Sequence, residues 1–348
     1  MKKRSFKAVL LLFVLTTLTI ALGGCSGDKK GDISSQITIG IPQDLEDSLD
    51  PHKMVTAGTR EVLFNIFEGL VKVTSDGDFV PAVASSYEET EGGKVYTFTL
   101  RDNVKFHDGS TVTAEDVKFS LDKCADTSAG EPLVAAFSNI DSVNILDDKT
   151  VQVVLKEADT EFLAYMTTAI IPASNADPDT NPIGTGPYKF VSRSPQENFV
   201  MERFDDYWGE PAYIKDVTLK ICANADTIVM DLEGGSIDMF ARVTSTQAAE
   251  LSDNFNVLEG TMNLVQALYL NNAEAPFDNE KVRQALCYAI DPQEIMMMVS
   301  DGKGTEVGSS MFPSFGKYFM PELNDTYNTD IEKARELLKE AGFEDGFS

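Results

Sequence analysis

Residues 96–120 read YTFTLRDNVKFHDGSTVTAEDVKFS, and local rules divide them into strand, turn and helix. The run KVYTFTLR (94–101) has strand character, Asp108 and Gly109 make a turn, and Thr113 opens a helix whose third residue is Asp116. A Thr-x-x-Asp start lets each side chain satisfy a free backbone N–H of the other, as in a capping box. Val117, Leu121 and Cys124 follow at helical spacing. Upstream, SYEETE (86–91) meets KVYTFTLR across Gly92 and Gly93, which supply the positive φ a hairpin requires. Downstream, NIDSVNILDD (139–148) and KTVQVVLK (149–156) meet across Asp147 and Asp148, an acid pair that marks a turn, and FLAYM (162–166) makes a short apolar helix. This central block is rich in β-structure and contains one well-capped helix.

On either side the pattern changes. SQITIGIP (35–42) alternates Ile37, Ile39 and Ile41 with small or polar residues, the period of a half-buried strand. A helix is expected over 59–68, with Val62, Leu63, Ile66 and Phe67 on one face and Gly69 as its stop. After the proline- and glycine-rich stretch 171–190, a crossing between domains, strands are expected at PYKFVSRS, ENFVMERF and KDVTLKIC. A helix over 226–233 then leads through Gly234 and Gly235 into the strand IDMFA, and NVLEG (256–260) and NLVQALYLNN (263–272) read as further strands. Two helices follow, the first capped by Asp278, the second starting at Asp291-Pro292, where a capping acid precedes a proline at the first helical position. A last amphipathic helix, 331–341, turns Ile331, Ala334, Leu337, Leu338 and Ala341 inward and stops at Gly342. Strands alternating with helices after a β-rich block indicate a mixed α/β, or α+β, architecture.

The N-terminus is basic at Lys2, Lys3, Arg4 and Lys7, apolar over 8–22 and small-residued beyond, the order of a secretory signal covering residues 1–24. It ends LGGC, resembling a bacterial lipobox with Cys25 as the lipidated residue. Residues 25–35 then read as a polar tether. Since a single acyl chain binds a membrane weakly, stable anchoring at Cys25 requires more than one. The chain has 348 residues and a net charge of −27, which makes nucleic acid a poor partner. Cys124, Cys222 and Cys287 lack metal-site spacing and sit among apolar or small residues, the pattern of buried free thiols.

Catalytic and cofactor templates find little support. His52 and His107, the only histidines, stand beside acids in loop signals on different parts of the chain, a poor basis for one catalytic or metal site. GTGPY (184–188) lacks the Lys-Ser/Thr of a phosphate loop, and Pro187 removes a backbone donor, so it reads as a tight turn. No GxSxG or HExxH occurs. The chain is expected to be no enzyme, with no cofactor and no metal.

Seven segments in order carry a family resemblance: SLDPH (48–52), FEGLVKV (67–73), residues 96–120, PIGTGPYKF (182–190), YWGEPAYIKDVTLKI (207–221), GSIDMF (235–240) and PFDNEKVRQALCYAIDPQEI (276–295). The chain resembles the extracellular solute-binding proteins of ABC importers, the family of oligopeptide-, dipeptide- and nickel-binding proteins, over most of 36–348. The resemblance implies a periplasmic-binding-protein-like fold of two lobes with an extra inserted β-rich domain. Residues 36–55 plus 173–271 would form lobe I, 56–172 the inserted domain, and 272–348 the start of an incomplete lobe II, so that the chain is expected to be truncated relative to its family.

It further implies a membrane-anchored receptor, outside the cytoplasm and a monomer when complete, that takes a peptide between the lobes and delivers it to permease subunits. The residues expected to face the cleft are Gln43, Asp44 and Ser48 after the first strand, Phe240, Ala241 and Arg242 at the end of IDMFAR, and Tyr269 and Asn271 in LYLNN. Arg242 suits a carboxylate, which a guanidinium grips through two hydrogen bonds, and Phe240 and Tyr269 suit an apolar wall. The alternatives are a binder of nickel chelate, haem or oligosaccharide, a peptide sensor without transport, or a secreted hydrolase with paired carboxylates.

Overall fold

A computed structural model describes residues 35–347 except Asp47, Ala129, Ala225, Asp226, Ser252 and 261–263, with only the backbone of Lys317. The chain divides into Met1–Gln36 and Ile37–Ser348. The signal segment, Cys25 and the tether up to residue 34 lie outside the described residues. No helix among the described residues is long and apolar enough to cross a membrane.

In chain order the elements are β1 (Gln36–Ile41), α1 (Ala57–Leu63), β2 (Val71–Val73), β3 (Phe79–Pro81), β4 (Ala84–Thr90), β5 (Val95–Leu100), α2 (Ala114–Ala125), β6 (Ile140–Asp147), β7 (Thr150–Leu155), β8 (Tyr188–Ser194), β9 (Asn198–Arg203), β10 (Asp216–Ile221), α3 (Ile228–Glu233), β11 (Met239–Phe240), α4 (Ser245–Leu251), α5 (Glu280–Ala289), α6 (Pro292–Ser300) and α7 (Ile331–Glu340). The fold is mixed α/β, as the sequence pattern requires.

The central block is an antiparallel sheet in the order β4-β5-β7-β6. Gly92 and Gly93 take φ of 63° and 88° in the hairpin between β4 and β5. Tyr96 and Phe98 alternate inward with Val151 and Val153 opposite them, and all four are fully buried. Each side chain so buried contributes about 1.5–3 kcal/mol. α2 starts with the reciprocal Thr113–Asp116 capping box and turns Val117, Leu121 and Cys124 onto this sheet. FLAYM forms a 3-10 helix over Phe162–Thr167, whose Phe162 and Met166 close the same core.

The second sheet runs β11-β1-β10-β9-β8. β8, β9 and β10 are an antiparallel meander, whereas β1 and β11 are parallel, with Ile39 opposite Met239 and Gly40 opposite Phe240. The two-residue period separates the faces of β1. Ile37, Ile39 and Ile41 pack with Leu63, Ile66, Phe67, Phe199 and Leu219, while Gly40 lies against Phe240, Ile237 and Cys222. α1 is shorter than expected, ending at Leu63, but its apolar residues point as expected and join the core of this sheet.

Beyond β11 several expectations require correction. Neither 256–260 nor 264–271 forms a strand; Leu264, Leu268 and Tyr269 are exposed, and no described strand runs beside them to accept their backbone hydrogen bonds. An apolar run makes a strand only where a partner edge exists. The α5 cap is Asn279, one residue after Asp278, its side chain accepting from Lys281 N–H. Cys287 is exposed, unlike Cys124 and Cys222, because it falls on the face of α5 opposite Val282 and Ala285. Ala285 packs against Ala334 and Leu337 of α7, but Ile331 in the first turn of α7 is exposed. The α6 start is as read: Asp291 accepts from Gln293 and Glu294 N–H, with Pro292 first in the helix.

Candidate functional site

Parallel strands present their carboxyl ends together, and in open α/β sheets ligands bind outside those ends. Here β1 and β11 end side by side. Gly40 permits this closeness, since a Cβ there would lie 2.6 Å from Phe240 Cδ2. Immediately beyond the strands come exposed Gln43 on one side and Ala241 and Arg242 on the other. Phe240 is half-buried against the core formed by Cys222, Ile228, Leu232 and Ile237. Arg242 turns the chain with φ of 67°, a left-handed conformation that costs a non-glycine residue roughly 1–2 kcal/mol. Its Nη2 donates to Glu61 Oε1 on α1, and Gln43 lies along the same helix, its Nε2 being 3.6 Å from where a Cβ at Gly58 would stand. Gln43 and Arg242 thus border α1 from two strand ends.

The other expected residues lie elsewhere. Asp44 holds the loop after β1 to the β8–β9 hairpin, accepting from Gln196 N–H at 2.8 Å and Leu45 N–H at 2.8 Å, with Arg193 Nη2 at 3.1 Å. Burial opposes its ionisation, but these hydrogen bonds outweigh it and its carboxyl sits below the usual aspartate range. Ser48 donates to Asp179 and accepts from Asp50 N–H at 3.2 Å. Tyr269 and Asn271 stand on the exposed segment after residue 263, where Asn271 Oδ1 accepts from Ala273 N–H.

Two polar hubs missed at the sequence level fasten the β-rich block to the second sheet. Asp50 is fully buried and receives Lys123 Nζ of α2 at 2.7 Å, with Lys53 Nζ at 3.8 Å. Glu68 accepts from Tyr207 Oη at 2.7 Å and Trp208 Nε1 at 2.6 Å. Burial raises the Glu68 carboxyl above its ordinary value against the pull of those bonds. Trp208 carries the Arg101 guanidinium 4.4 Å from its ring centroid and Lys72 Nζ at 5.2 Å. An acid separated from its YW partner by about 140 positions leaves no local pattern to read.

Both histidines serve the same fastening. His52 Nε2 lies 2.8 Å from Ala169 O. Burial, and secondarily Lys123, lower its pKa. His107 Nε2 is 3.0 Å from Gly186 O, its Nδ1 receives Gly184 N–H at 3.3 Å, and its ring meets Phe204 edge-on. A neutral imidazole with its proton on Nε2 satisfies both bonds. Protonation would put a second N–H against the donor of Gly184, and burial already pushes the pKa down to about 4. GTGPY is therefore a tight turn against Asn65 and Ile66, with Gly186 N–H bonded to Ile66 O at 2.9 Å. Among the described residues no group of three or more His, Cys, Asp or Glu is placed to hold a metal.

Comparison with known proteins adds the family. Residues 78–348 match the model of bacterial extracellular solute-binding proteins, family 5. Glutathione-binding protein GsiB of Salmonella typhi is 30% identical over 315 residues, covering 86% of this chain and 60% of that protein. Heme-binding protein A of Haemophilus influenzae is 32% identical over 302 residues, covering 78% and 55%. The periplasmic binding protein DppA of Helicobacter pylori, solved with the peptide STSA, superposes with a TM-score of 0.71 at 26% identity over 90% of this chain and 67% of that one. CtaP of Listeria monocytogenes superposes with a TM-score of 0.73 at 26% identity over 88% and 65%. The chain thus spans about 60% of the length of the GsiB proteins it matches. With a family match over most of its length and the two-lobe periplasmic-binding fold among its structural neighbours, this chain belongs to the family 5 bacterial extracellular solute-binding proteins.

Proposed function

We propose that the protein is the solute receptor of an ABC importer, binding a small peptide outside the carboxyl ends of β1 and β11 and delivering it to the permease. The observation that carries this reading is the parallel pair β1–β11, whose ends lie side by side with Phe240 and Ala241 at the β11 end and with Gln43 and Arg242 bordering α1. Tyr269 and Asn271 would join them from the following segment, while Asp44 and Ser48 would shape the loop that carries Gln43. Residues 36–55 and 173–271 would be lobe I, 56–172 the inserted domain and 272–348 the beginning of lobe II. Closure of two lobes on the solute would create the form that the permease recognises. Cys25, lipidated, would hold the receptor at the outer face of the membrane as a monomer.

Support for peptide comes from relatives named for glutathione, itself a tripeptide, and from the STSA complex. Haem is the second reading, favoured by the similarity to heme-binding protein A; against it, His52 and His107 both spend ring nitrogens on main-chain partners. Binding requires no bond to be made or broken, so no acid or base is assigned. Calorimetric titration of the purified chain with Ser-Thr-Ser-Ala, glutathione and haemin tests the proposal. Saturable binding of a peptide is expected, and binding of haemin with none of either peptide overturns it.

A further inference from the structure

Glu61 is the only protein partner of the Arg242 guanidinium among the described residues, and it reaches across 181 positions of sequence to make that contact. The other arginines near the two sheets are used differently. Arg101, Arg193 and Arg203 each donate to main-chain carbonyls, at Ala82, Glu46 and Ala212 respectively. Arg242 donates to none, and its side chain is 50% exposed, as is 57% of that of Glu61. Its backbone is held in the left-handed region directly after β11. An unfavourable backbone conformation retained at a strand end, next to a half-used guanidinium fork, is a feature that packing alone does not require. A chain of net charge −27 also repels anions at long range, so recognising one takes a local cation.

We propose that Glu61 occupies Arg242 in the ligand-free protein in place of the solute's own carboxylate, so that Glu61 is an internal competitor and the solute class is carboxylate-bearing. This rests on the strand ends being the solute site. On binding, the ligand carboxylate takes the Arg242 fork through two parallel hydrogen bonds, and Glu61 swings into solvent. Glu61 therefore weakens binding of acids while leaving neutral solutes unaffected, a role opposite to that of an ordinary contact residue.

The test is calorimetry on the purified chain with Ser-Thr-Ser-Ala, the same peptide as its C-terminal amide, and glutathione, in the wild type, Glu61→Gln and Arg242→Gln. The acid is expected to bind roughly ten-fold more tightly than the amide, as loss of one charge-assisted bidentate contact implies. Glu61→Gln should tighten the acid and glutathione roughly two- to five-fold, the factor set by one exposed ion pair, without tightening the amide. Arg242→Gln should bring the acid down to the level of the amide. Melting curves of both variants control for folding, since both side chains are exposed. Equal binding of acid and amide, or no response of the acid to Glu61→Gln, overturns the inference and leaves the solute site standing. Absence of binding by all three probes overturns both.

Discussion

His107 should make stability depend on pH over a window in which few other groups titrate. Its imidazole is neutral in the fold, accepting from Gly184 at Nδ1 and donating to Gly186 from Nε2, and its pKa falls from 6.5 to about 4. A depressed folded pKa means that the contribution is complete above pH 6.5 and is lost as pH falls through 6.5 towards 4. A fall from 6.5 to about 4 corresponds to roughly 3 kcal/mol, at about 1.4 kcal/mol for each tenfold change in proton affinity. In His107→Gln the titration disappears, while the amide still reaches Gly186 and the Gly184 donor loses its acceptor, a cost of about 1–2 kcal/mol at pH 7. The variant should therefore be the less stable protein at pH 7 and the more stable one by about 1–2 kcal/mol at pH 4. Urea unfolding at pH 7, 6, 5 and 4, followed by the fluorescence of Trp208, the only tryptophan, reads this crossing directly. Because the chain has two histidines, an NMR titration of both imidazoles with the variant as assignment completes the measurement. Parallel stability curves, or a His107 pKa near 6.5, would refute the reasoning.

Replacing Lys123 by Met leaves the fully buried Asp50 carboxylate with Lys53 Nζ at 3.8 Å as its nearest lysine and the His52 N–H at 3.1 Å; a loss of about 3 kcal/mol is expected, largely recovered in Lys123→Met with Asp50→Asn, as thermal melts will show. Gly40→Ala drives a methyl to 2.6 Å from Phe240 Cδ2 and 2.9 Å from Ile237 Cδ1. It should cost about 1–3 kcal/mol of overpacking and weaken peptide binding by displacing the Phe240 ring; unchanged melting would mean that the strand ends are looser than described. Iodoacetamide should label Cys287 in the native protein, and Cys124 and Cys222 only in urea, since both are buried and burial raises the Cys124 thiol to about 12. Peptide mapping by mass spectrometry distinguishes them.

Where a signal is local, the sequence was enough. The Gly92-Gly93 hairpin, the Thr113–Asp116 box and the Asp291-Pro292 start each lie within a few residues, and all three form. Residues 264–272 do not form the expected strand because an apolar run of strand-forming residues describes one strand, whereas a strand also needs an edge to pair with. Cys287 failed for a related reason: apolar neighbours in sequence do not fix which face of a helix a residue occupies. The positions of Gln43 and Arg242 just beyond β1 and β11 were legible, whereas the approach of Glu61 on α1 to Arg242, 181 positions away, was not. The Asp44–Arg193 clamp, the Asp50–Lys123 pair and the Glu68–Tyr207–Trp208 hub join residues 70 to 150 positions apart. Only the folded chain shows them, and they explain why several acids that could have served a ligand are used to hold the scaffold.

The central claim, that solute binds outside the carboxyl ends of β1 and β11, is tested most directly by hydrogen exchange of the purified chain with and without saturating Ser-Thr-Ser-Ala. Slowed exchange is predicted in the segments covering 40–44, 57–63 and 238–243, with the meander β8–β10 unchanged. Saturable peptide binding with protection confined to other segments would contradict it.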